Sequence, residues 1–184
     1  MGYAARHGLL PGGLWKARFG HLGGHDGSGR LQPGPWDLAF ENGLVVELDE
    51  QLHFNRYRAR TLHADWTEPL PWRDVYLVYC RDRERDCLAD GRWGQRWTNP
   101  SCERLFGLAG PPGTFDQGGA PRWKQRALYD ALKDMSALVG SVKLARLAIY
   151  DVVDGVDLHT ALEGQTEIDP GALVSFTGSR TAWA

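Results

Sequence analysis

The chain has 184 residues, of which 42% are hydrophobic and 24% charged, enough for one domain with a core of its own. Its 21 Lys and Arg against 23 Asp and Glu give a formal net charge of -2, so the bulk basic charge of many nucleic-acid binders is absent and only a local basic face would serve that class. No apolar run approaches a membrane span and the N-terminus lacks a signal-peptide core, so the expectation is a cytoplasmic protein, off the membrane, with its three cysteines reduced.

Residues 1–30 are rich in Gly and His, and His21 and His25 read as part of a glycine-rich loop more than as metal ligands. Residues 36–49 hold two short apolar-rich runs around Asn42-Gly43, a hairpin signal. The next segment, 54–66, reads as a helix, with Phe54, Tyr57, Thr61 and Trp66 on one stripe and Arg56, Arg58 and Arg60 around it. A second helix is expected over 72–90, unbroken, with Cys80 and Cys87 on its apolar face. Residues 91–120 read as loop with one short helix at 101–106, and 67–120 together as a helical insertion. Pro121 starts a third helix that runs to Leu138 and stops at Gly140. Residues 142–150 form a buried strand, Asp154-Gly155 a turn, and the tail from 164 shows no clear pattern.

Loop length decides what the hairpin presents. A two-residue loop would pair Asp37 with Leu48 and mix acids with apolar groups on both faces. A three-residue loop, Glu41-Asn42-Gly43, pairs Asp37 with Glu47 and puts a glycine where a left-handed residue is needed. In that register Leu38, Phe40, Leu44, Val46 and Leu48 share one face, while Asp37, Glu47 and Asp49 gather on the other. Opposed residues stand ~4.5–5.5 Å apart at Cβ, so two carboxylates there repel unless a cation lies between them. Mg²⁺ is commonly held by one or two carboxylates, so the pair suits one shared ion. An acidic, solvent-exposed edge hairpin is the plainer reading of the same residues.

The run from Leu31 through Pro33-Gly34-Pro35-Trp36-Asp37, then Leu44-Val45-Val46-Glu47-Leu48-Asp49 and His53, resembles the very-short-patch-repair-like endonucleases of the PD-(D/E)XK nuclease superfamily. The resemblance covers about residues 31–62 and implies an α/β, restriction-endonuclease-like mixed sheet flanked by helices, in one domain spanning 1–184. It implies metal-dependent cleavage of DNA, in repair or defence, with Mg²⁺ or Mn²⁺ held by Asp37 and Glu47, Asp49 in the second motif, and His53 as general base or phosphate contact. Asp49 stands where the superfamily usually has lysine. Lys124 and Gln125, in a Lys-Gln-x-x-x-Tyr run, are the candidate replacements. The missing lysine also leaves open a catalytically inactive relative that binds nucleic acid or a protein.

Two other residue sets carry candidate chemistry. Cys80 and Cys87 on one helix would lie ~10 Å apart along it, whereas two thiolates on one zinc are at most about 4.6 Å apart, so with Cys102 they read as buried free thiols. The segment from Arg92 to Trp97 alternates basic and aromatic residues. Arg92, Trp93, Arg96 and Trp97, with Arg56, are candidates for gripping nucleic acid; equally, the tryptophans anchor a loop on the core.

Overall fold

A computed structural model describes residue 20, residues 22–24, residue 31 and residues 34–184. His21 and His25 lie outside the described residues. The protein is mixed α/β, with a small mixed sheet flanked by helices.

The hairpin forms in the three-residue register. Strands β1 (Leu38–Ala39) and β2 (Leu44–Asp49) pair antiparallel, Leu38 opposite Val46 and Ala39 opposite Val45. The Phe40 N–H donates to the Leu44 carbonyl (2.9 Å) and the Gly43 N–H to the Phe40 carbonyl (3.0 Å), with Gly43 at φ +80. Continued by one residue, that register sets Asp37 opposite Glu47.

After a 3₁₀ turn at Gln51–His53, helix α1 (Arg56–Leu62) is shorter than the stretch 54–66 that its apolar stripe suggests. Asn55 sets its start: it is extended, and its side chain accepts the Tyr57 and Arg58 N–H groups, so the helix begins only after it, and it ends at Leu62 with His63 as its C-cap. The helix expected over 72–90 is two helices, α2 (Arg73–Asp82) and α3 (Glu84–Gly91), separated at Arg83. Helix α4 (Pro100–Phe106) is capped by Asn99, and α5 (Pro121–Leu138) has the limits its sequence predicts, with proline in its first turn.

Strand β3 (Lys143–Ala148) then returns parallel to β2, Glu47 opposite Arg146 and Asp49 opposite Ala148. Asp154 and Gly155, both at positive φ, turn the small hairpin β4 (Val152–Val153) and β5 (Val156–Asp157). The unpatterned tail folds too: α6 (Leu158–Leu162), α7 (Pro170–Ser179), and β6 (Thr181–Ala182), which pairs antiparallel with β3. The sheet order is β1-β2-β3-β6.

Both faces of β2 and β3 are covered. Val46, Ala145 and Leu147 meet Leu158 and Phe176 on one side. Val45, Leu144 and Ala148 meet Phe54, Trp72, Tyr76 and Ala137 on the other. Residues 67–120 are more than an appendage, since Trp72 and Tyr76 fill the sheet-side core and Trp97 and Phe106 pack with Trp123 and Leu128 of α5 in a second, helical core. Leu38 and Phe40 continue the apolar face of β2 but stay 54% and 51% exposed, because β1 is the sheet's edge.

Candidate functional site

The strand pleat that buries Val45 also carries Glu47 and Asp49 inward, and β3 carries Arg146 to the same side. Helix α5 lies over that side and brings Asp130, Lys133 and Asp134. Where α5 parts from the hairpin there is a cleft of about 340 Å³, lined by Asp37, Glu47, Glu50, His53, Arg122, Arg126, Tyr129, Asp130 and Lys133.

At the hairpin end, Asp37 accepts the Leu48 N–H at its Oδ2 (2.8 Å). Across the ladder the chain itself supplies a cation to Glu47. Lys133 Nζ donates to both oxygens of Glu47 at 2.7 Å and to the Pro35 carbonyl at 3.0 Å, and lies 5.1 Å from the Trp36 ring. Burial still pushes the Glu47 carboxyl above its ordinary value, against the pull of Arg146 and Lys133.

Behind this pair lies a buried ionic network. Arg146 Nη1 donates to both oxygens of Asp49 (2.8 Å each) and its Nε to Asp134 Oδ1 (2.6 Å). Arg58 of α1 donates to the other Asp134 oxygen (2.8 Å). His53 Nδ1 sits 3.1 Å from Asp49 and 2.9 Å from Asp130. Three carboxylates thus face two guanidiniums and one imidazole. Burial alone would raise both Asp49 and Asp130; Arg146 and His53 outweigh it and hold both below the usual carboxylate range. Asp49, His53 and Asp130 each offer one ligand atom, all within 4.8 Å of one another, and could hold a metal ion. With Nδ1 engaged by the two acids, His53 keeps Nε2 for the cleft, where it has no partner among the described residues.

The sequence-derived candidates therefore separate. Asp37, Glu47 and His53 line one cleft, and Asp49 lies directly behind His53, fixed by Arg146. Lys124 is elsewhere: its ammonium lies 5.6 Å from the Tyr57 ring, because nine residues of helix turn it away from the side that Lys133 faces. Gln125 is buried and serves a neighbour, its Oε1 accepting from Arg122 and its Nε2 donating to the Tyr129 hydroxyl (3.4 Å). Arg56 is committed, paired with Glu84 through Nε and Nη2 (2.8 Å each) and stacked 3.5 Å over Phe115. Trp97 is 1% exposed, its indole N–H bound to the Gly110 carbonyl, so it anchors the loop and has no face for a base. Trp93 is 61% exposed with Arg92 5.0 Å from its ring, and Arg96 donates to the Asp90 carbonyl.

Sequence reasoning missed Lys133, Asp130, Asp134, Arg122, Arg126, Arg58 and Arg146. A signal existed for two groups: an arginine inside the apolar run 142–150, and acids four apart on a helix otherwise rich in buried residues, each asking for a partner of opposite sign.

A family model spanning residues 17–164 matches the chain. The chain belongs to DUF7255, a family of unknown function. No curated protein and no solved structure matches it. The cysteines are free and buried, and among the described residues no helix is long and apolar enough to cross a membrane.

Proposed function

We propose that the cleft cleaves phosphodiester bonds in DNA with the help of Mg²⁺ or Mn²⁺, on a restriction-endonuclease-like sheet. Lys133 carries this reading. The resemblance asks for a lysine beside the second acid; β2 has Asp49 at that place, and α5 delivers an ammonium to both Glu47 oxygens at 2.7 Å. The donor set suits a hard cation: Asp37 and Glu47 bring carboxylate oxygens to the wall of one cleft, Asp37 accepting the Leu48 N–H and Glu47 holding the Lys133 ammonium whose place the ion would share. Asp37 and Glu47 would hold such an ion, which would supply Lewis-acid stabilisation of charge on the phosphate.

The chain's own groups do the rest. Lys133, on the cleft wall, places positive charge beside the phosphate oxygens. His53, aligned through Nδ1 by Asp49 and Asp130, presents Nε2 as the acceptor for the proton of the attacking water. Trp36 and Pro35 hold Lys133 from the other side.

Labelled single- and double-stranded DNA incubated with Mg²⁺ or Mn²⁺ tests the reading. Cleavage by the wild type should fall about 10²-fold or more in both Glu47→Gln and Lys133→Gln, and metal should raise the melting temperature of the wild type more than that of Glu47→Gln. Equal cleavage by wild type and Glu47→Gln would place the activity elsewhere. A second reading, binding without cleavage, is favoured by one feature: both oxygens of Glu47 and of Asp49 are already bound by Lys133 and Arg146. DNA binding with no cleavage and no metal-dependent stabilisation would select it.

A further inference from the structure

We propose that helix α5 and the loop before it form a track for one DNA single strand, with backbone phosphates on Arg126 and Arg122 and an unpaired base against Trp93. This rests on the phosphodiesterase reading and adds the path and strandedness of the substrate.

Arg122, Arg126, Tyr129 and Lys133 are spaced four, three and four residues apart, so they form one stripe down α5, and all four line the cleft. At 1.5 Å per residue the three cations span about 16 Å. The stripe therefore begins at the acidic pair, with Lys133, and leads toward the start of the helix.

Arg126 is the anomaly on this stripe. It is partly buried, and burial lowers its pKa against the pull of Asp130. Among the described residues it makes no ion pair and no hydrogen bond, since Asp130 is engaged by His53 and Arg146. Arg122 sits four residues away on the same face, where like charges repel. Arg122 is itself aligned, its Nη1 held by Gln125, which also binds the Tyr129 hydroxyl. Asp130 and Glu50 line the same cleft, yet among the described residues neither Arg122 nor Arg126 is ion-paired with an acid, so the two guanidiniums leave a site for an anion, and a phosphate matches the guanidinium fork.

The track does not stop at Arg122. The Arg122 N–H donates to the Trp97 carbonyl (3.1 Å) and the Trp123 indole to the Arg96 carbonyl (3.0 Å), which ties the loop of residues 92–97 to the start of α5. Trp97 anchors that loop in the core, and four residues earlier Trp93 is left in solvent beside Arg92. An exposed indole with a neighbouring guanidinium stacks on a base face, which a single strand offers and a duplex conceals.

The test is fluorescence anisotropy with a labelled oligothymidylate and with a duplex of equal length, in EDTA so that neither metal nor cleavage enters. The single strand should bind more tightly than the duplex. Arg126→Gln should weaken it about tenfold and lower the slope of log affinity against log salt by about 0.7, with Arg126→Lys recovering part of the loss. Trp93→Ala should weaken single-strand binding by about five- to a hundredfold and leave duplex binding unchanged. Melting curves of each variant check that it is folded. Wild-type affinity in both Arg126→Gln and Trp93→Ala, or equal binding of duplex and single strand, would overturn the track. Cleavage assays with metal are read separately: an uncleaved strand that still depends on Arg126 and Trp93 removes the nuclease reading and upholds the track.

Discussion

Glu47 is 3% exposed, and its charge is tolerable only because Lys133 reaches it. Removing one member of a buried pair costs more than the pair contributes, since the survivor is left unpaired. Lys133→Met should destabilise the protein by about 3 kcal/mol, or roughly 6–12 °C in Tm for a chain of this size. The loss should shrink as pH falls, because Glu47, already raised by burial, then takes a proton and no longer needs a cation. Lys133→Met combined with Glu47→Gln should recover much of it, and a four-variant cycle at pH 7 and pH 5 checks both statements. A different single-residue consequence follows at Cys80 and Cys87, whose thiols burial pushes up to about 12. At pH 8 only about one thiol in 10⁴ is then ionised, so both should resist iodoacetamide in the folded protein and react at ordinary rates in urea, as peptide mass spectrometry would show.

Among the elements, the hairpin turn has a clean test. Gly43 has φ +80 and open space where a Cβ would be, so Gly43→Ala adds backbone strain and nothing else. The cost should be about 1 kcal/mol, roughly 2–4 °C in Tm, measured by thermal denaturation. That turn was legible in sequence, as were α5, β3 and the Asp154-Gly155 hairpin, because each is marked by local chemistry: Asn-Gly, Pro at a helix start, an apolar run, Asp-Gly. The split between α2 and α3 was not, since Arg83 has ordinary helix propensity and the apolar stripe runs on through Cys87. Helix α7 was missed for the opposite reason. Ala172, Leu173, Val174 and Phe176 make no one-sided stripe, and although Asp169-Pro170 is a good helix start, the pattern after it is uninformative. In the site, the hairpin acids could be placed because strand alternation fixes their face. Lys133 could not, because the side of α5 that meets Glu47 depends on how a helix some 80 residues further along the chain docks on the sheet.

Across the whole molecule, the buried network ties β2, the 3₁₀ turn and α5, which line the cleft, to β3 and α1. Arg146 on β3 holds Asp49 on β2 and Asp134 on α5, Asp134 holds Arg58 on α1, and Asp49 with Asp130 holds His53. Arg146→Met would leave three carboxylates with Arg58 and His53, and should cost about 4 kcal/mol or more at pH 7; Arg146→Lys, which keeps the charge but loses the fork, should cost less. The dependence on pH separates an electrostatic loss from a packing loss. In the wild type, Asp49 and Asp130 are held below their unfolded values, so their contribution is fully present above about pH 4 and is lost as pH falls through their depressed folded values. In Arg146→Met the chief cation holding Asp49 down is gone, so burial raises that carboxyl and the sign reverses: the variant gains relative stability when the acid is protonated. The gap between wild type and Arg146→Met should therefore narrow as pH is lowered from 7 toward 4, read as the difference in urea midpoint at each pH. A gap of constant size would mean that Arg146 acts through its packing alone, and that Asp49 and His53 owe their alignment to something other than its charge.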